Sequence, residues 1–585
     1  MPSLLLGPVL RFVDAHAATV WVQTDEACEV AILGSRTRTW CVGGLHFALV
    51  TVSGLTSGRD NPYEVLLDDT VAWPDPASPF PPSSIRLLDP AGRCEIAFGS
   101  CRITLPHEPP YTQRGHEHPS GQGIDALRAF ALRAADGGGG PACPDMLLML
   151  GDQIYADQPS PELREALAAR RRPSDVPDDE LADFTEYAMA YHEAWREPAI
   201  RWLLSTVPTT MVFDDHEIHA EWRISQGWID EMNAEPWFDD HIRAGLMAYW
   251  VFQHIGNLSP AVLAEGEVYD AVRAAGDDGD AHDLLASHMD TEGRQVGHSR
   301  WSFARDIGDS RLVVIDSRAG RDVTPGRREL VQDEEWEWIN AQARRPARHL
   351  LLASSVPFLL APGLHHVQAW DEALTDGAWG ALVARLGERL RRLTVMDHWA
   401  SFQRTYRRFA KLIDETAHGR NGEAPASIVM LSGDVHHCYL AEVGFPAGDG
   451  PASPVWQAVC SGFRKELAPH ERAAIAFGHS GVAGRLARRL GRAARVPPLP
   501  FGWRVVERPA YANQIATLTL DEDRSHVRVD AVVDGEWRRP RLDTAFAREL
   551  TRDASVARGS APGRAVRVRH REMPLERAFD RGEVP

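Results

Sequence analysis

The side chains best suited to chemistry stand in short polar clusters, each directly behind a run of apolar residues. Gly151-Asp152-Gln153-Ile154-Tyr155 follows MLLML and sets a carboxylate just past that run, with a phenol three residues on. Asp152 is suited to bridging two hard cations and Tyr155 to binding a ferric ion as phenolate, although a Gly-Asp behind a strand is also an ordinary turn. Asp214-Asp215-His216-Glu217 follows TTMVF and crowds three carboxylates around one imidazole. Ionised carboxylates that close need a metal or strong donors, and a solvated helix-capping turn uses the same residue types. Gly433-Asp434-Val435-His436-His437 follows IVMLS; alternate side chains face one way, which pairs Asp434 with His436. Gly99-Ser100-Cys101 adds a thiol, a ligand when ionised and a packing residue otherwise. Each cluster alone has a bland reading, but Cys, Asp with Tyr, Asp with His, and Asp with His at separate strand ends together read as a two-metal site.

Other polar residues have weaker claims. Arg318 and Arg321, behind the strand ending at Asp316, have the fork geometry to clamp a phosphate, in a chain rich in surface arginine. His365 and His366, after LLLASSVPF, are placed to line a substrate cleft or simply to be exposed. Lysine occurs only at Lys411 and Lys465, no GKS or GKT loop is present, and Gly137 to Gly140 reads as a flexible loop.

Those clusters need a frame to hold them. The runs IAFGSC, MLLMLGD, TTMVFDDHE, RLVVIDSR, LLLASSVP and IVMLSGDVHH are apolar throughout, as strands covered by helices on both faces require. Ligands gather at the carboxyl ends of such strands. Helical spacing is seen at Leu181 to Leu204, Gln332 to Arg345 and Trp379 to Asp414. Residues 1 to about 90 instead alternate apolar and polar, as in Thr19-Val20-Trp21-Val22, which predicts a small β-sandwich with a Pro-rich connector at Trp73 to Pro82. Leu258 to Ser299 is acidic and poor in large apolar residues and reads as a surface insertion, Gln514 to Leu520 with His526 to Val533 as a hairpin, and Ser555 to Pro585 as an Arg-rich tail.

The 585-residue chain is long enough for two or three domains, with globular composition at 44% hydrophobic and 25% charged residues. A net charge of −19 opposes nonspecific attraction to nucleic acid or to anionic membrane, though it allows a local basic patch. The seven cysteines are odd in number with no CxxC, and the start has no basic, cleavable leader; both fit a cytoplasmic protein, with secretion left open.

GSC, GDQIYAD, DDHE, MDHW…R from Met396 to Arg404, and GDVHH together resemble the alkaline phosphatase D (PhoD-like) metallophosphatases, a branch of the calcineurin-like metallophosphoesterases, over most of the chain. The resemblance implies an α/β fold with a four-layer αββα metallophosphoesterase-type sandwich, preceded by a small immunoglobulin-like β-sandwich. The implied domains are 1–90 immunoglobulin-like, 91–545 catalytic and 546–585 the tail. It implies that Cys101, Asp152, Tyr155 and His436 bind an iron-like metal, and that Asp152 bridges to a second ion on Asp215 and Asp434, for which oxygen ligands favour calcium; other divalent metals are alternatives. His216 would contact the phosphoryl group and protonate the leaving alkoxide, with Asp214 and Glu217 orienting it. The reaction so implied is hydrolysis of a small-molecule phosphate mono- or diester by a metal-bound hydroxide; the negative charge and the lack of a long apolar run separately predict no nucleic-acid or membrane partner. Two alternatives stay open: a dinuclear hydrolase of non-phosphate esters, and a non-catalytic metal-binding interaction protein. After DDHE this chain has Ile218-His219-Ala220-Glu221 where relatives often carry asparagines, which makes His219 a candidate substitute ligand.

Overall fold

The computed structural model describes residues 1–551 except 57, 90–91, 138–142, 173–176, 178, 278, 447–449, 508, 534 and 536. The Arg-rich tail from Ser555, and Gly138 to Gly140 of the glycine run, therefore lie outside the described residues. Residues 1–551 form one compact unit.

Two large sheets organise that unit. In one, Thr209–Met211, Met146–Met149 and Cys94–Gly99 run parallel, and Gln514–Asp521, Arg524–Val532 and Leu542–Glu549 extend the sheet antiparallel. In the other, Ser310–Ile315, His349–Ser354, Ser427–Ser432 and Val455–Val459 form a parallel centre flanked by antiparallel edges. The side-chain period of two assigns the faces. Ile96, Phe98 and Leu148 share one apolar cluster with Leu312, Val314, Leu351 and Val429, so the sheets meet face to face. The alternate residues Val313, Leu350, Leu352 and Met430 pack instead with the helices Asp333–Ala343 and Gln403–Ala417. Ala97, Leu147 and Met149 likewise pack with helices on their own outer side, among them Phe184–Trp195 and Pro198–Thr206. Covering both faces of the parallel strands is what makes their sequences uniformly apolar.

The N-terminal residues fold as two four-stranded antiparallel sheets. Their facing residues, such as Val20, Val50, Val30 and Val65, continue the cluster between the large sheets. The opposite face, with Trp21, Trp40 and Phe47, is buried under helices. Arg11 crosses to that side: its buried guanidinium donates to Gln253 O at 2.5 Å and to Asn257 Oδ1 at 3.2 Å.

Three readings of local structure differ from the sequence expectation. The helical stretch from Leu181 to Leu204 is two helices, because Pro198 starts a new one capped by the Glu197 carboxylate. Trp379 to Asp414 is likewise two, Ala381–Leu393 and Gln403–Ala417, separated by the MDHW segment. Leu258 to Ser299 is no loose surface insertion: within it Pro260–Ala264, Glu267–Asp277 and His282–Arg294 are helices that bury Leu263, Val272, Leu285 and Met289 in the core. A few apolar residues at helical spacing suffice to dock a helix that is otherwise acidic.

Candidate metal centre

Every polar cluster singled out above lies just beyond the carboxyl end of a strand, three from one large sheet and Gly433–His437 from the other. The facing sheets bring these ends together. Three donor groups result: Cys101 with Asp152 and His436, Asp152 with Asp215 and His216, and Asp214 with Asp215 and Asp434. Within each group the ligand atoms lie within 4.8 Å of one another. Asp152 belongs to the first two groups and Asp215 to the last two, so the donors form one continuous chain.

The backbone is bent to present them. Cys101, Asp152, Asp434 and His436 have φ of 58°, 50°, 66° and 51°, left-handed conformations that cost an L residue about 1–2 kcal/mol each. The loops cross-brace one another. Asp434 N donates to Ser100 Oγ at 2.9 Å, His436 N to Ser461 Oγ at 3.0 Å, and Ser461 Oγ lies 3.2 Å from Cys101 Sγ. A Cβ at Gly151 would fall 2.5 Å from the Asp214 carboxylate, and one at Gly433 would fall 2.2 Å from Ser100 Oγ. The glycines of both Gly-Asp pairs are thus required by close approach.

Tyr155 donates its hydroxyl to Asp152 Oδ2 at 3.1 Å, while Asp152 Oδ1 is buried with no hydrogen-bond partner among the described residues. Burial, opposed by His216 and reinforced by Asp215 and Asp434, pushes the Asp152 carboxyl up to about 6; burial also raises the Cys101 thiol and the Tyr155 phenol. Burial, with Lys465 nearby, pulls His436 down to about 3 and keeps its imidazole neutral. A neutral imidazole, an orphaned carboxylate oxygen, a thiol and a phenol converging in a buried site fit a cation.

The carboxylate end is built differently. Arg318, fully buried, pairs with Asp214 and Asp397, and lies 2.8 Å from Asp434 and 3.3 Å from Asp215. His398 Nε2 lies 3.1 Å from the other Asp434 oxygen. Burial opposes the Asp434 charge, but Arg318 and His398 outweigh it and hold the carboxyl below its ordinary range.

His216 is oriented by a residue the sequence reading left without a role. Its Nδ1 lies 2.7 Å from Asp157 Oδ1, and Asp157 Oδ2 accepts from Ala220 N at 3.0 Å. Burial disfavours the imidazolium, but Asp157 and Asp152 overcome it and hold His216 up at about 10. The expected orienting residues have other partners: Asp214 is tied to Arg318, while Glu217 accepts the N–H groups of Gln153, Asp214 and Asp152 and so ties two loops together. Asp157 stood in GDQIYAD, and Asp397 and His398 in MDHW, where motif membership was their only signal. Lys465, one of two lysines, sits 4.8 Å over the Tyr155 ring, and its rarity was the available clue.

The remaining candidates sit elsewhere. Arg321 is buried behind the cluster on Asp397 and on the carbonyls of Ser317 and Trp222. His365 and His366 line a separate cavity of about 520 Å³ with Trp503, Arg488 and Arg492. His219 turns to its neighbour's carbonyl, Ala220 O at 2.8 Å, and to Glu180 at 3.5 Å.

With this geometry in view, the comparisons are specific. A family profile described as PhoD-like phosphatase matches residues 120–467, and one described as a domain of unknown function, DUF7800, matches residues 1–85. No curated protein matches. A solved structure described as "Structure of PhoD" is similar at TM-score 0.55 and 12% identity, covering 94% of this chain and 91% of that one. Another, "GAP50 the anchor in the inner membrane complex of Plasmodium", gives TM-score 0.30 and 8% identity over 78% of this chain and 89% of that one.

Proposed function

Since the chain belongs to the PhoD-like phosphatase family, we propose that it hydrolyses small-molecule phosphate mono- or diesters at a two-metal centre formed by the strand-end donors. The observation that carries this reading is the shared use of Asp152 and Asp215 by overlapping donor groups, with Asp152 Oδ1 buried and without a hydrogen-bond partner among the described residues. Cys101, Asp152, Tyr155 and His436 would hold an iron-like ion, given their sulfur, phenol and imidazole donors. Asp152, Asp215 and Asp434 would hold a harder ion such as calcium. Bound ions supply positive charge that polarises water and neutralises phosphoryl oxygens.

The chain's own residues do the rest. Asp157 fixes His216 through Nδ1, which leaves Nε2 to deliver a proton to the departing alkoxide. Arg318 holds Asp214, Asp215 and Asp434 together and adds a fixed positive charge behind the phosphoryl position. In this reading the layered sheets are a metallophosphoesterase-type αββα sandwich spanning 91–545, residues 1–90 are an immunoglobulin-like domain packed onto it, and 546–585 is an accessory tail. Among the described residues no helix is long and apolar enough to cross a membrane. All seven cysteines are free, which supports a reducing, cytoplasmic setting.

The test is elemental analysis of the purified protein beside hydrolysis of mono- and bis-p-nitrophenyl phosphate, before and after chelation. Two ions per chain and chelator-sensitive turnover are expected, and the two substrates rank monoester against diester. Turnover that survives complete metal removal would sink the reading.

A further inference from the structure

Two helices outside the candidate centre carry the same outward pattern. Ala381–Leu393 presents Leu382, Arg385, Leu386 and Arg389, and Gly481–Ala493 presents Val482, Arg485, Leu486 and Arg489. In each the spacing is i, i+3, i+4, i+7, one face of a helix, and all eight residues are exposed. The opposite faces are the packed ones: Gly387 and Arg391 in the first helix, Ala483, Gly484 and Ala487 in the second. Both pack against Pro362–Thr375, where Gly387 approaches Thr375 and Gly484 approaches Pro362. Trp379 Nε1, two residues before the first helix, donates to Ala493 O at the end of the second at 3.4 Å.

The exposed apolar side chains concentrate here. Of the thirteen large apolar residues exposed among the described residues, eight fall within 379–395 and 477–486. Leu382, Leu386, Leu393, Val482 and Leu486 are between 54% and 82% exposed, and within each helix the exposed pair stands one turn apart, unlike the single scattered residues of an ordinary surface. The charge is equally local. One helix holds four arginines and one glutamate, the other four arginines and no acidic residue, in a chain whose net charge is −19. Arg391 and Arg392 have carboxylate partners, whereas Arg385, Arg389, Arg485 and Arg489 have none among the described residues.

We propose that this paired helical face docks on an anionic phospholipid surface. Leucine and arginine alternate along one line of each helix, whereas a protein interface gathers its apolar residues in a centre and its charges at a rim. An interleaved row suits a lipid boundary, where apolar tips enter the acyl region while guanidinium groups reach up to phosphates. Self-association through this face would set two arginine rows against each other. The chain's overall acidity still repels an anionic surface, so it orients the molecule by turning this basic face toward the lipid.

The test is co-sedimentation of the full chain with vesicles of equal parts phosphatidylcholine and phosphatidylglycerol, beside vesicles of phosphatidylcholine alone. Pelleting with the anionic vesicles only, weakening as salt rises, is expected. Each Arg→Gln change at 385, 389, 485 or 489 should weaken partitioning about fivefold. Leu382→Ser with Leu386→Ser, and Val482→Ser with Leu486→Ser, should weaken it further. Hydrolysis of p-nitrophenyl phosphate in solution should be unchanged in all of them, which also reports that they fold. The proposal is overturned if the wild-type chain stays in the supernatant, if it pellets equally with neutral vesicles, or if the quadruple Arg→Gln chain pellets like wild type. It is overturned too if the serine variants turn a dimer into a monomer on gel filtration while vesicles capture neither.

Discussion

The two ends of the candidate centre lie within one chain of donors and are compensated in different ways. At the Cys101, Tyr155 and His436 end Cys101 and Tyr155 are buried and His436 is half-buried, and Asp152 Oδ1 has no hydrogen-bond partner among the described residues. At the Asp214, Asp215 and Asp434 end, Asp214 Oδ2 and Asp215 Oδ1 likewise lack a hydrogen bond among the described residues, but Arg318 already contacts all three carboxylates. The Asp152 carboxylate has the His216 imidazolium as its counter-charge, whereas Asp214, Asp215 and Asp434 share one guanidinium that offsets part of their charge. Under the two-metal reading the first end binds its ion tightly, and the second shares its carboxylates with arginine and exchanges its ion more readily. Chelator should empty the carboxylate end first.

Asp152→Asn breaks the comparison most completely, since the two-metal reading gives that residue to both ions. It should remove both ions and lower kcat/KM by roughly a thousandfold or more; metal-replete protein with normal turnover would refute the shared-ligand reading. Arg318→Met attacks only the carboxylate end. Uncompensated buried charge should cost about 3–5 kcal/mol of stability, read by denaturant unfolding, with added calcium restoring part of it. An unchanged unfolding midpoint would mean that Arg318 is not the counter-charge. Asp157→Asn leaves the residues proposed to hold the two ions in place and changes the partner of His216 Nδ1: kcat should fall about 10- to 100-fold with metal content unchanged. Loss of metal instead would make Asp157 part of the ligand support. Tyr155→Phe is the mildest change, expected to abolish visible phenolate-to-iron absorption while weakening metal retention about tenfold. A spectrum that persists would remove Tyr155 from the ligand set.

Much of the frame was legible because burial on both faces leaves a direct mark: IAFG, MLLM and IVMLS are apolar throughout, and the polar residues ending them fall at strand ends. The N-terminal alternation was legible for the same reason, one periodicity for one kind of packing. The helices at 258–299 were hidden because docking rests on a few residues, Val272, Leu285 and Met289, within a largely polar composition.

The sequence by itself determined which side chains stand at the strand ends, because each is fixed by its place behind an apolar run. It could not determine how they pair. Asp157 and His216 are 59 positions apart, and Arg318 and Asp214 are 104 apart. His216 has carboxylates much nearer in sequence at Asp214 and Glu217, yet these are taken by Arg318 and by backbone N–H groups. Strand pairing within one sheet, which sets Met146–Met149 beside Thr209–Met211, decided the first partnership, and the facing of the two sheets decided the second, since hydrogen bonds and ion pairs depend on distance in space and are satisfied across loops that sequence order keeps apart.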